Sequence, residues 1–405
     1  MLRSSSTGRS TAPRSTIKAA GATRTTIDRL SCSSTRRASA WTEPFGTGPV
    51  ASIKNFRTAL ILCGGRSAER EVSLVSSAAV LRNLPKGWKA LLVWIDPAGH
   101  WFFQSAPARF AEAKPGRYRF KRVPARLDFD GRLIVGSRRL AFDACFPVLH
   151  GPYGEDGTLQ GMLDLFGVAY VGSDALGSSL GMDKDLAKRV ARDAGLPVLP
   201  YAVLNGPSEL WKTRELPLPL FVKPARLGSA VGVYKVKRRS ELSAAVKRAF
   251  RFDSKVLVER GVAARELECA VLGRTCRARA SEVGEVRPNA EFYSYEAKYE
   301  DSDGAALLIP AEVPEAVSAE IRTMALLAFE ALGLDGLARV DFFLDKNTGK
   351  IWFNEVNTIP GFTSISMYPK LWAASGLSFP RLVERLLLLA LDRRRERARL
   401  RITRD

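Results

Sequence analysis

The amino-acid sequence predicts an α/β unit at the N-terminal side, followed by two α+β units. The first observation is an order of strand, glycine turn, helix and strand. The apolar run "TALILCGG" (58–65) precedes the helical spacing of "SAEREVSLVSSAAVLRNL" (67–84), and "ALLVWID" (90–96) follows. The second observation is that single helices alternate with paired apolar runs beyond residue 180. We therefore predict one α/β layer and two α+β units behind it.

The two ends of the chain are predicted to lie outside these units. Residues 1–54 carry a net charge of +7, are rich in Ser, Thr and Arg, and show no hydrophobic period. This composition indicates a disordered basic extension. It is also typical of a transit peptide, and an upstream start codon is a further reading. Residues 392–405, with a net charge of +4, are predicted to form a basic tail that is dispensable, like residues 1–54.

Composition excludes several classes of protein. The five cysteines have no CxxC spacing, which indicates reduced thiols. Because the chain has only two histidines, the sequence argues against a zinc site and against a Ser-His-Asp triad. The longest purely apolar run, Leu386–Leu391, is too short to span a bilayer, so we expect a soluble, cytoplasmic protein. The net charge of +20 raises a nucleic-acid-binding hypothesis, but more than half of the excess lies on the two ends.

The helix boundaries of the first half follow from capping and breaking residues. Ser67 is the expected N-cap of the first helix, with Glu69 and Glu71 in its first turn. "FDACFPVL" predicts a further strand. "LGMDKDLAKRVARDAGLP" (180–197) predicts one helix that stops at Gly195.

The second half reads as two strand-and-helix units. "PLFVKPARLGSAVGVYKV" (219–236) predicts two strands around a glycine loop, followed by the helix "SELSAAVKRAFRF" and the strand "KVLVERGV". "RELECAVLG" opens a further sheet, and "AVSAEIRTMALLAFEALGL" predicts a long helix. "GLARVDFFLDKNTGKIWFNEVN" (336–357) predicts a β-hairpin, and "SFPRLVERLLLLALDRRR" predicts a closing helix.

The hairpin places polar side chains on one face of a buried sheet. With residues 346–350 as the loop, Asp341 faces Glu355, Arg339 faces Asn357, and Asp345 faces Ile351. Two opposed carboxylates about 5 Å apart repel by about 3 kcal/mol at an effective dielectric of about 20. A positive group must therefore sit between them. Either Mg²⁺ binds these oxygen ligands or the cluster is a surface ion-pair group around Arg339.

Three loops are candidates for ligand contacts. In "VKPARLGSAVGV", Lys223 and the small residues around Ser229 suit phosphate oxygens, although such a loop alone is often only a turn. Glu259 follows in "VLVERGV" and offers hydrogen bonds to a nucleotide. "VLHGPYGEDGTLQG" (148–161) is glycine-rich and holds a histidine, and "FYSYEAKYEDSDG" (292–304) is either a solvated loop or a segment that closes over a substrate.

Seven motifs in order resemble those of the D-alanine–D-alanine ligases of the ATP-grasp superfamily. They are "GGRSAEREVSL", "HGPYGEDGTLQG", "GMDKD", "FVKPARLGSAVGV", "YEAKY", "ARVDFFL" and "NEVNTIPGFTSISMYPKLW". The resemblance covers residues 57–391 and implies a three-domain ATP-grasp architecture with an N-terminal Rossmann-like preATP-grasp domain. The domains implied are 55–172, 173–260 and 261–391.

The resemblance implies a reaction and a set of site residues. ATP would activate one D-alanine as an acyl phosphate, which the amine of a second D-alanine attacks, with two Mg²⁺ or Mn²⁺ ions as cofactors. Every role below is what the resemblance implies. Glu69 and His150 belong to the first D-alanine pocket; Ser229 and Tyr299 belong to the closing loops; Lys184, Lys223, Glu259, Glu266 and Lys298 bind ATP; Asp341, Glu355 and Asn357 bind metal; Arg339 and the Gly361 N–H stabilise the oxyanion; Ser366 and Lys370 hold the second carboxylate.

Two details bear on specificity and assembly. In the family, the tyrosine form of the "YEAKY" loop goes with an amine nucleophile, so Tyr299 favours dipeptide synthesis over D-alanine–D-lactate ligation, and D-alanine–D-serine ligation stays an alternative. Ala230 departs from the second serine that the family usually has there. The resemblance further implies D-alanine and ATP as small-molecule partners, a homodimer, and no nucleic-acid or membrane partner.

Overall fold

The computed structural model describes residues 56–288 and 305–404, which form three sheets. The first sheet has seven strands in the order β6-β5-β4-β3-β2-β1-β7, and β1 runs parallel to both of its neighbours. This parallel centre confirms the predicted α/β unit. Its strands are β1 (Arg57–Gly64), β2 (Trp88–Ile95), β3 (Trp101–Gln104), β4 (Val123–Leu127), β5 (Leu133–Val135), β6 (Arg138–Leu140) and β7 (Ala144–Pro147), and its helices are α1 (Arg70–Arg82), α2 (Pro107–Glu112) and α3 (Thr158–Leu165).

The second sheet is antiparallel and has four strands in the order β10-β9-β11-β8. Two helices lead to it from the first sheet, and a third packs against it within one apolar cluster. The elements are α4 (Ala175–Met182), α5 (Lys184–Asp193), β8 (Tyr201–Leu204), a 3-10 helix (Pro207–Thr213), β9 (Leu220–Pro224), β10 (Tyr234–Val236), α6 (Arg239–Ala249) and β11 (Val256–Arg260).

The third sheet is antiparallel and has five strands in the order β14-β13-β12-β15-β16. The predicted hairpin forms its β15-β16 edge. The elements are β12 (Ala264–Gly273), β13 (Arg279–Pro288), β14 (Ala305–Leu308), α7 (Glu315–Ala331), β15 (Gly336–Asp345), β16 (Ile351–Asn357), α8 (Met367–Ala374) and α9 (Phe379–Arg397).

The closing helix α9 joins the third unit to the first. Leu382 and Leu386 lie in the same buried cluster as Ile61 and Phe146 of the first sheet. The helix continues through the start of the predicted basic tail to Arg397. Arg393 is buried, and its guanidinium donates to the carbonyl oxygen of Tyr170 at 2.9 Å. The last turns of α9 therefore belong to the packed part of the chain.

Two helix boundaries predicted from sequence are wrong. Helix α1 begins at Arg70 with Glu69 as its N-cap, because the Ser67 hydroxyl accepts the Glu69 N–H at 3.1 Å, which precedes the helix, and donates to the backbone oxygen of His150 at 2.6 Å. The single helix predicted over 180–197 is two helices, because Asp183 leaves helical geometry and accepts the N–H groups of Asp185 and Leu186 as the N-cap of α5. Among the described residues, no helix is both long and apolar enough to cross a membrane.

Candidate active site

The hairpin brings polar side chains together on the third sheet, at the end of β15 and β16 that lies away from the turn. Arg339 pairs with Asn357 and Asp341 pairs with Glu355, as the sequence predicted. On the other side of β15, Glu268 of β12 pairs with Asp341. Three carboxylates thus form a row across three adjacent strands.

The register at the turn end differs from the prediction. Leu344, and not Asp345, pairs with Ile351. The register shifts by one residue between Asp341 and Phe342, and the extra residue on β16 is Asn354. A β-bulge of this kind takes up one residue without disturbing the pairs beyond it. Because of the bulge, Asp341 still pairs with Glu355, and the pair nearest the turn is Leu344 with Ile351.

Arg339 neutralises this row. Its Nε and Nη2 donate to the two oxygens of Asp341 at 2.7 and 2.6 Å, and its Nε lies 2.9 Å from Glu268 Oε2. Burial alone would lower the pKa of Arg339, but the negative charges of Asp341 and Glu268 raise it well above its ordinary value. Asn357 Nδ2 also donates to Asp341 Oδ2 at 3.0 Å. The guanidinium is thus a fixed positive charge on the sheet face.

The donor set of this face suits a magnesium ion. Asp341, Glu355 and Asn357 supply the carboxylate and amide oxygens that Mg²⁺ accepts. Within residues 56–288 and 305–404, no three His, Cys, Asp or Glu side chains form a metal-binding group. The carboxylates contact cations of the protein, Asp341 with Arg339 and Glu355 with Lys184. The residues fit the ion in chemistry.

Lys184 connects the third sheet with the glycine loop of the second. Lys184 lies at the first position of α5, where its Nζ is 3.1 Å from Glu355 Oε2. The same Nζ donates to the carbonyl oxygen of Leu227 at 2.7 Å. One ammonium group therefore bridges a predicted metal ligand and the loop predicted to hold phosphates.

Lys223 and Glu259 belong to a buried charge group with a third member. Glu259 Oε2 lies 2.6 Å from Lys223 Nζ, and Glu259 Oε1 lies 2.7 Å from Lys188 Nζ. Burial lowers the pKa of Lys188, and the charge of Glu259 opposes this. Burial also works against the charged forms of Glu259 and Lys223. The neighbouring charges prevail, so the pKa of Glu259 is lowered and that of Lys223 is raised. Lys188 was not predicted, although it lies one helical turn after Lys184.

Glu266 lies on β12, two positions before Glu268. It lines a concavity with Asp341, Phe343 and Glu355. Because alternate residues of a strand share a face, Glu266 and Glu268 point the same way. The sequence predicts Glu266 as a site residue but not Glu268, although the alternation of Glu268 with Glu266 indicates that it shares the same face.

The glycine loop contacts the N-terminal end of α1 through Ser229. The Ser229 hydroxyl donates a hydrogen bond to Glu69 Oε1, and Glu69 is buried. Ser229 and Ala230 both have positive φ angles, of 53° and 56°, which few residues other than glycine adopt. A Cβ atom at Gly228 would lie 3.1 Å from Glu69 Oε2. Small side chains therefore let this loop approach the Glu69 carboxylate closely.

His150 is buried beside the loop that follows β16. Its Nδ1 lies 2.9 Å from the carbonyl oxygen of Ile359, and its Nε2 lies 3.2 Å from Ser76 Oγ. Burial lowers the pKa of His150, and the charge of Glu69 opposes this shift. The imidazole is therefore neutral at physiological pH and serves as a hydrogen-bonding group between elements.

Gly361, Ser366 and Lys370 all follow the hairpin in the sequence, and Gly361 contacts Ser366. Ser366 is the N-cap of α8, and its Oγ accepts the Thr363 N–H at 3.0 Å. A Cβ at Gly361 would lie 2.8 Å from Ser366 Oγ, so the two residues are in direct contact. Within the described part of the chain, the Gly361 N–H has no hydrogen-bond partner. Lys370 is half-buried in the first turns of α8. Lys298 and Tyr299 lie outside the described residues.

Two family models match most of the chain. The model described as D-ala D-ala ligase N-terminus matches residues 58–173, and the model described as D-ala D-ala ligase C-terminus matches residues 190–388. A relative named D-alanine--D-alanine ligase A, from Bradyrhizobium diazoefficiens, is 48% identical over 363 residues, covering 84% of this chain and 96% of its own. A D-alanine--D-alanine ligase of Thermoanaerobacter sp. is 44% identical over 354 residues, covering 84% of this chain and 98% of its own.

Solved structures show the same likeness. The D-alanine-D-alanine ligase from Coxiella burnetii has a TM-score of 0.74 at 36% identity, over 85% of this chain and 96% of that chain. The VanG D-Ala:D-Ser ligase from Enterococcus faecalis has a TM-score of 0.75 at 34% identity, over 83% of this chain and all of that chain.

Proposed function

The chain belongs to the D-alanine–D-alanine ligase family, and we propose that the contacts between its three sheets build the active site for that reaction. The protein is an ATP-dependent ligase that joins two D-alanines into D-alanyl-D-alanine for peptidoglycan synthesis. A carboxylate oxygen of the first D-alanine attacks the γ-phosphorus of ATP, and ADP leaves. The amine of the second attacks the acyl phosphate carbon, loses a proton, and expels phosphate.

Lys184 and Lys223 are the proposed contacts for the ATP phosphates. Phosphoryl transfer needs charge neutralisation and positioning more than covalent help. Both lysines already face carboxylates, Glu355 for Lys184 and Glu259 for Lys223, so their ammonium groups are oriented before the nucleotide arrives. Glu259 is buried and contacts both Lys188 and Lys223. We therefore propose that Glu259 orients Lys223, in addition to its implied contact with the nucleotide base.

Glu266 is the proposed contact for the ribose, since its carboxylate lines the concavity beside Phe343. Lys298, from the segment outside the described residues, is the proposed contact for the γ-phosphate. Asp341, Glu355 and Asn357 would hold two Mg²⁺ or Mn²⁺ ions. When bound, such ions neutralise the charge that develops on the phosphoryl oxygens.

The D-alanine sites are proposed on either side of Gly361. Glu69 is a buried carboxylate suited to an ammonium group, and Ser229 covers it from the loop above. The Gly361 N–H is available to a developing oxyanion, and Arg339 supplies the positive charge of this face. Ser366, with Lys370 in the same helix, would hold the carboxylate of the second D-alanine.

The Lys184–Glu355 ion pair is the observation that carries these roles. It joins a predicted phosphate contact and a predicted metal ligand that are 171 positions apart in the sequence. The test is ADP release by the full chain with ATP and Mg²⁺, with and without D-alanine. We expect turnover that requires both D-alanine and the metal. Absence of D-alanine-dependent ADP release would overturn the proposal.

A second candidate is a ligase that joins D-alanine to D-serine or D-lactate. The likeness to the VanG D-Ala:D-Ser ligase favours including it. We propose the dipeptide with two D-alanines because the relatives named D-alanine--D-alanine ligase are 44–48% identical to this chain. Tyr299, whose form accompanies an amine nucleophile, disfavours D-lactate but not D-serine. The two are separated by product analysis with D-alanine alone and with D-alanine plus D-serine or D-lactate. A dominant mixed product would favour the second candidate.

We also propose a cytoplasmic homodimer without nucleic-acid or membrane partners. The domain limits 55–172, 173–260 and 261–391 are part of the same proposal. Light scattering of the purified chain tests the dimer, and an electrophoretic shift assay with duplex DNA tests the nucleic-acid reading. Salt-resistant DNA binding would contradict it.

A further inference from the structure

The peptide unit around Ile359 is held by two buried side chains of the segment between β7 and α3. Glu155 Oε2 accepts the Ile359 N–H at 3.1 Å, and His150 Nδ1 lies 2.9 Å from the Ile359 carbonyl oxygen. The other oxygen of Glu155 accepts the Gly151 N–H at 2.9 Å. Both polar groups of one residue after β16 are therefore bound by the segment 150–155.

A third contact holds the same loop three residues later. The Phe362 N–H donates to Ser76 Oγ at 3.1 Å, and Ser76 Oγ lies 3.2 Å from His150 Nε2. A carbonyl oxygen can only accept, so the Nδ1 of His150 donates to Ile359. The neutral ring then accepts the Ser76 proton at Nε2. Helix α1, His150 and the loop 359–362 are thus connected by one directional set of hydrogen bonds.

These anchors leave one backbone donor between them. Pro360 has no N–H, and the N–H groups of Ile359 and Phe362 are used by Glu155 and Ser76. Within the loop 359–362, which the structure describes in full, only the Gly361 N–H lacks a partner. A donor that stabilises an oxyanion must be fixed before charge develops, because a preorganised dipole needs no reorientation during the reaction.

We propose that Glu155 is a positioning residue for the ligation, whose carboxylate, together with His150, holds the loop 359–362 so that the Gly361 N–H is fixed toward the reacting carbonyl. The inference rests on the proposed role of Gly361. It assigns a role to the first acidic residue of "GEDG" and places His150 in the support of the loop.

Charges around Glu155 connect this loop support with the first substrate. The charged groups that face it are Glu69 and Lys184. Burial and the charge of Glu69 raise the pKa of Glu155 to about 8, while the Gly151 and Ile359 N–H groups and Lys184 oppose the shift. An ammonium group bound at Glu69 would offset that repulsion and favour the Glu155 carboxylate, which accepts hydrogen bonds more strongly than the acid.

The main test is Glu155→Gln in the full chain, with Asp156→Asn as the matched control. The new side-chain amide keeps one acceptor oxygen, so only one of the Gly151 and Ile359 N–H groups can still be bound. The other N–H then faces the NH₂ group of the amide. Asp156 lies in the same segment and accepts the Tyr153 and Thr158 N–H groups without contacting Ile359. Measurements are kcat and KM for ATP and D-alanine, thermal unfolding, and hydrogen–deuterium exchange of the peptide containing residues 358–363.

We expect Glu155→Gln to lower kcat by about 10- to 100-fold, as for supporting residues around a catalytic centre. KM for ATP should stay within about twofold, and exchange in 358–363 should accelerate. Asp156→Asn should change none of these. Unchanged kcat and exchange in a folded Glu155→Gln, or equal losses in Asp156→Asn, would overturn the inference.

A second pair of variants tests the direction of the His150 contact. The side-chain amide nitrogen of asparagine can replace Nδ1, whereas that of glutamine reaches the position of Nε2. His150→Asn should therefore keep more activity and slower exchange in 358–363 than His150→Gln. The opposite order would overturn the inference even where Glu155→Gln does not fold. A wild type without D-alanine-dependent turnover would instead overturn the proposed function.

Discussion

Ser229 donates a hydrogen bond to the carboxylate of Glu69, although the two residues are 160 positions apart and belong to different units of the fold. Ser229 lies in the glycine loop between β9 and β10, and Glu69 is the N-cap of α1. The contact closes the loop over the proposed pocket for the first D-alanine. It also uses one oxygen of the carboxylate and leaves the other to an incoming ammonium group.

Ser229→Ala should raise the KM for D-alanine, because the loop loses its contact with Glu69. A hydrogen bond to a charged group contributes about 1.5–3 kcal/mol, so a change of about 10- to 100-fold is expected. Steady-state kinetics of Ser229→Ala, Glu69→Gln and the double variant measure the coupling. Ser208→Ala, at an exposed position of the 3-10 helix Pro207–Thr213, is the control. Additive effects of the two changes would contradict a direct interaction.

Glu355→Gln should lower kcat by about 100-fold or more. Glu355 is both a proposed metal ligand and the partner of Lys184, so one substitution removes the negative charge from both interactions. The Mg²⁺ concentration for half-maximal rate should rise. Glu320→Gln, at an exposed position of α7, keeps the same change of charge away from the site. A normal magnesium dependence in Glu355→Gln would remove Glu355 from the metal site.

Lys188→Met should destabilise the protein by about 3 kcal/mol, because it leaves Glu259 with one of its two buried partners. Urea unfolding followed by circular dichroism measures the difference. Lys247→Met, on the exposed face of α6, should be close to neutral. Adding Glu259→Gln to Lys188→Met should recover part of the loss. A double variant less stable than Lys188→Met would contradict an uncompensated charge as the cause.

The contribution of Glu155 to stability should fall as the pH rises from about 5 to about 8. The pKa of this carboxyl is 4.5 in its ordinary state and about 8 in the fold. Between these values the folded protein holds a proton that the unfolded chain has released, so raising the pH favours unfolding. The slope is at most about 1.4 kcal/mol per pH unit. The free energy of unfolding of wild type minus that of Glu155→Gln should decrease over this range, and a constant difference would contradict the shift.

Truncation of the C-terminal end should be tolerated only outside α9. Removing residues 399–405 should leave the melting temperature nearly unchanged. Removing residues 393–405 deletes Arg393, which stacks 4.2 Å from the Tyr170 ring and donates to two backbone oxygens of the first unit. A loss of buried charged hydrogen bonds predicts a fall of several degrees, measured by differential scanning fluorimetry. Equal melting temperatures for the two truncated proteins would support the prediction from sequence that the whole tail is dispensable.

Local sequence patterns were sufficient to predict the main helices, the hairpin pairing and the family of this protein. Alternation along the hairpin placed Asp341 opposite Glu355 and Arg339 opposite Asn357, because the faces of a strand repeat every two residues. Motif order identified the family, and apolar spacing found the main helices. These patterns are short-range, so one sequence is sufficient to recognise them.

Only the tertiary structure decided which polar side chains meet. Lys188 reaches Glu259, Glu155 reaches Ile359, and Ser229 reaches Glu69 through the packing of elements that are far apart in the sequence. The bulge at Asn354 and the burial of Arg393 likewise depend on neighbouring strands and on the first unit. No periodicity encodes such contacts, because the energy that selects them comes from burying charges that must find partners across the fold.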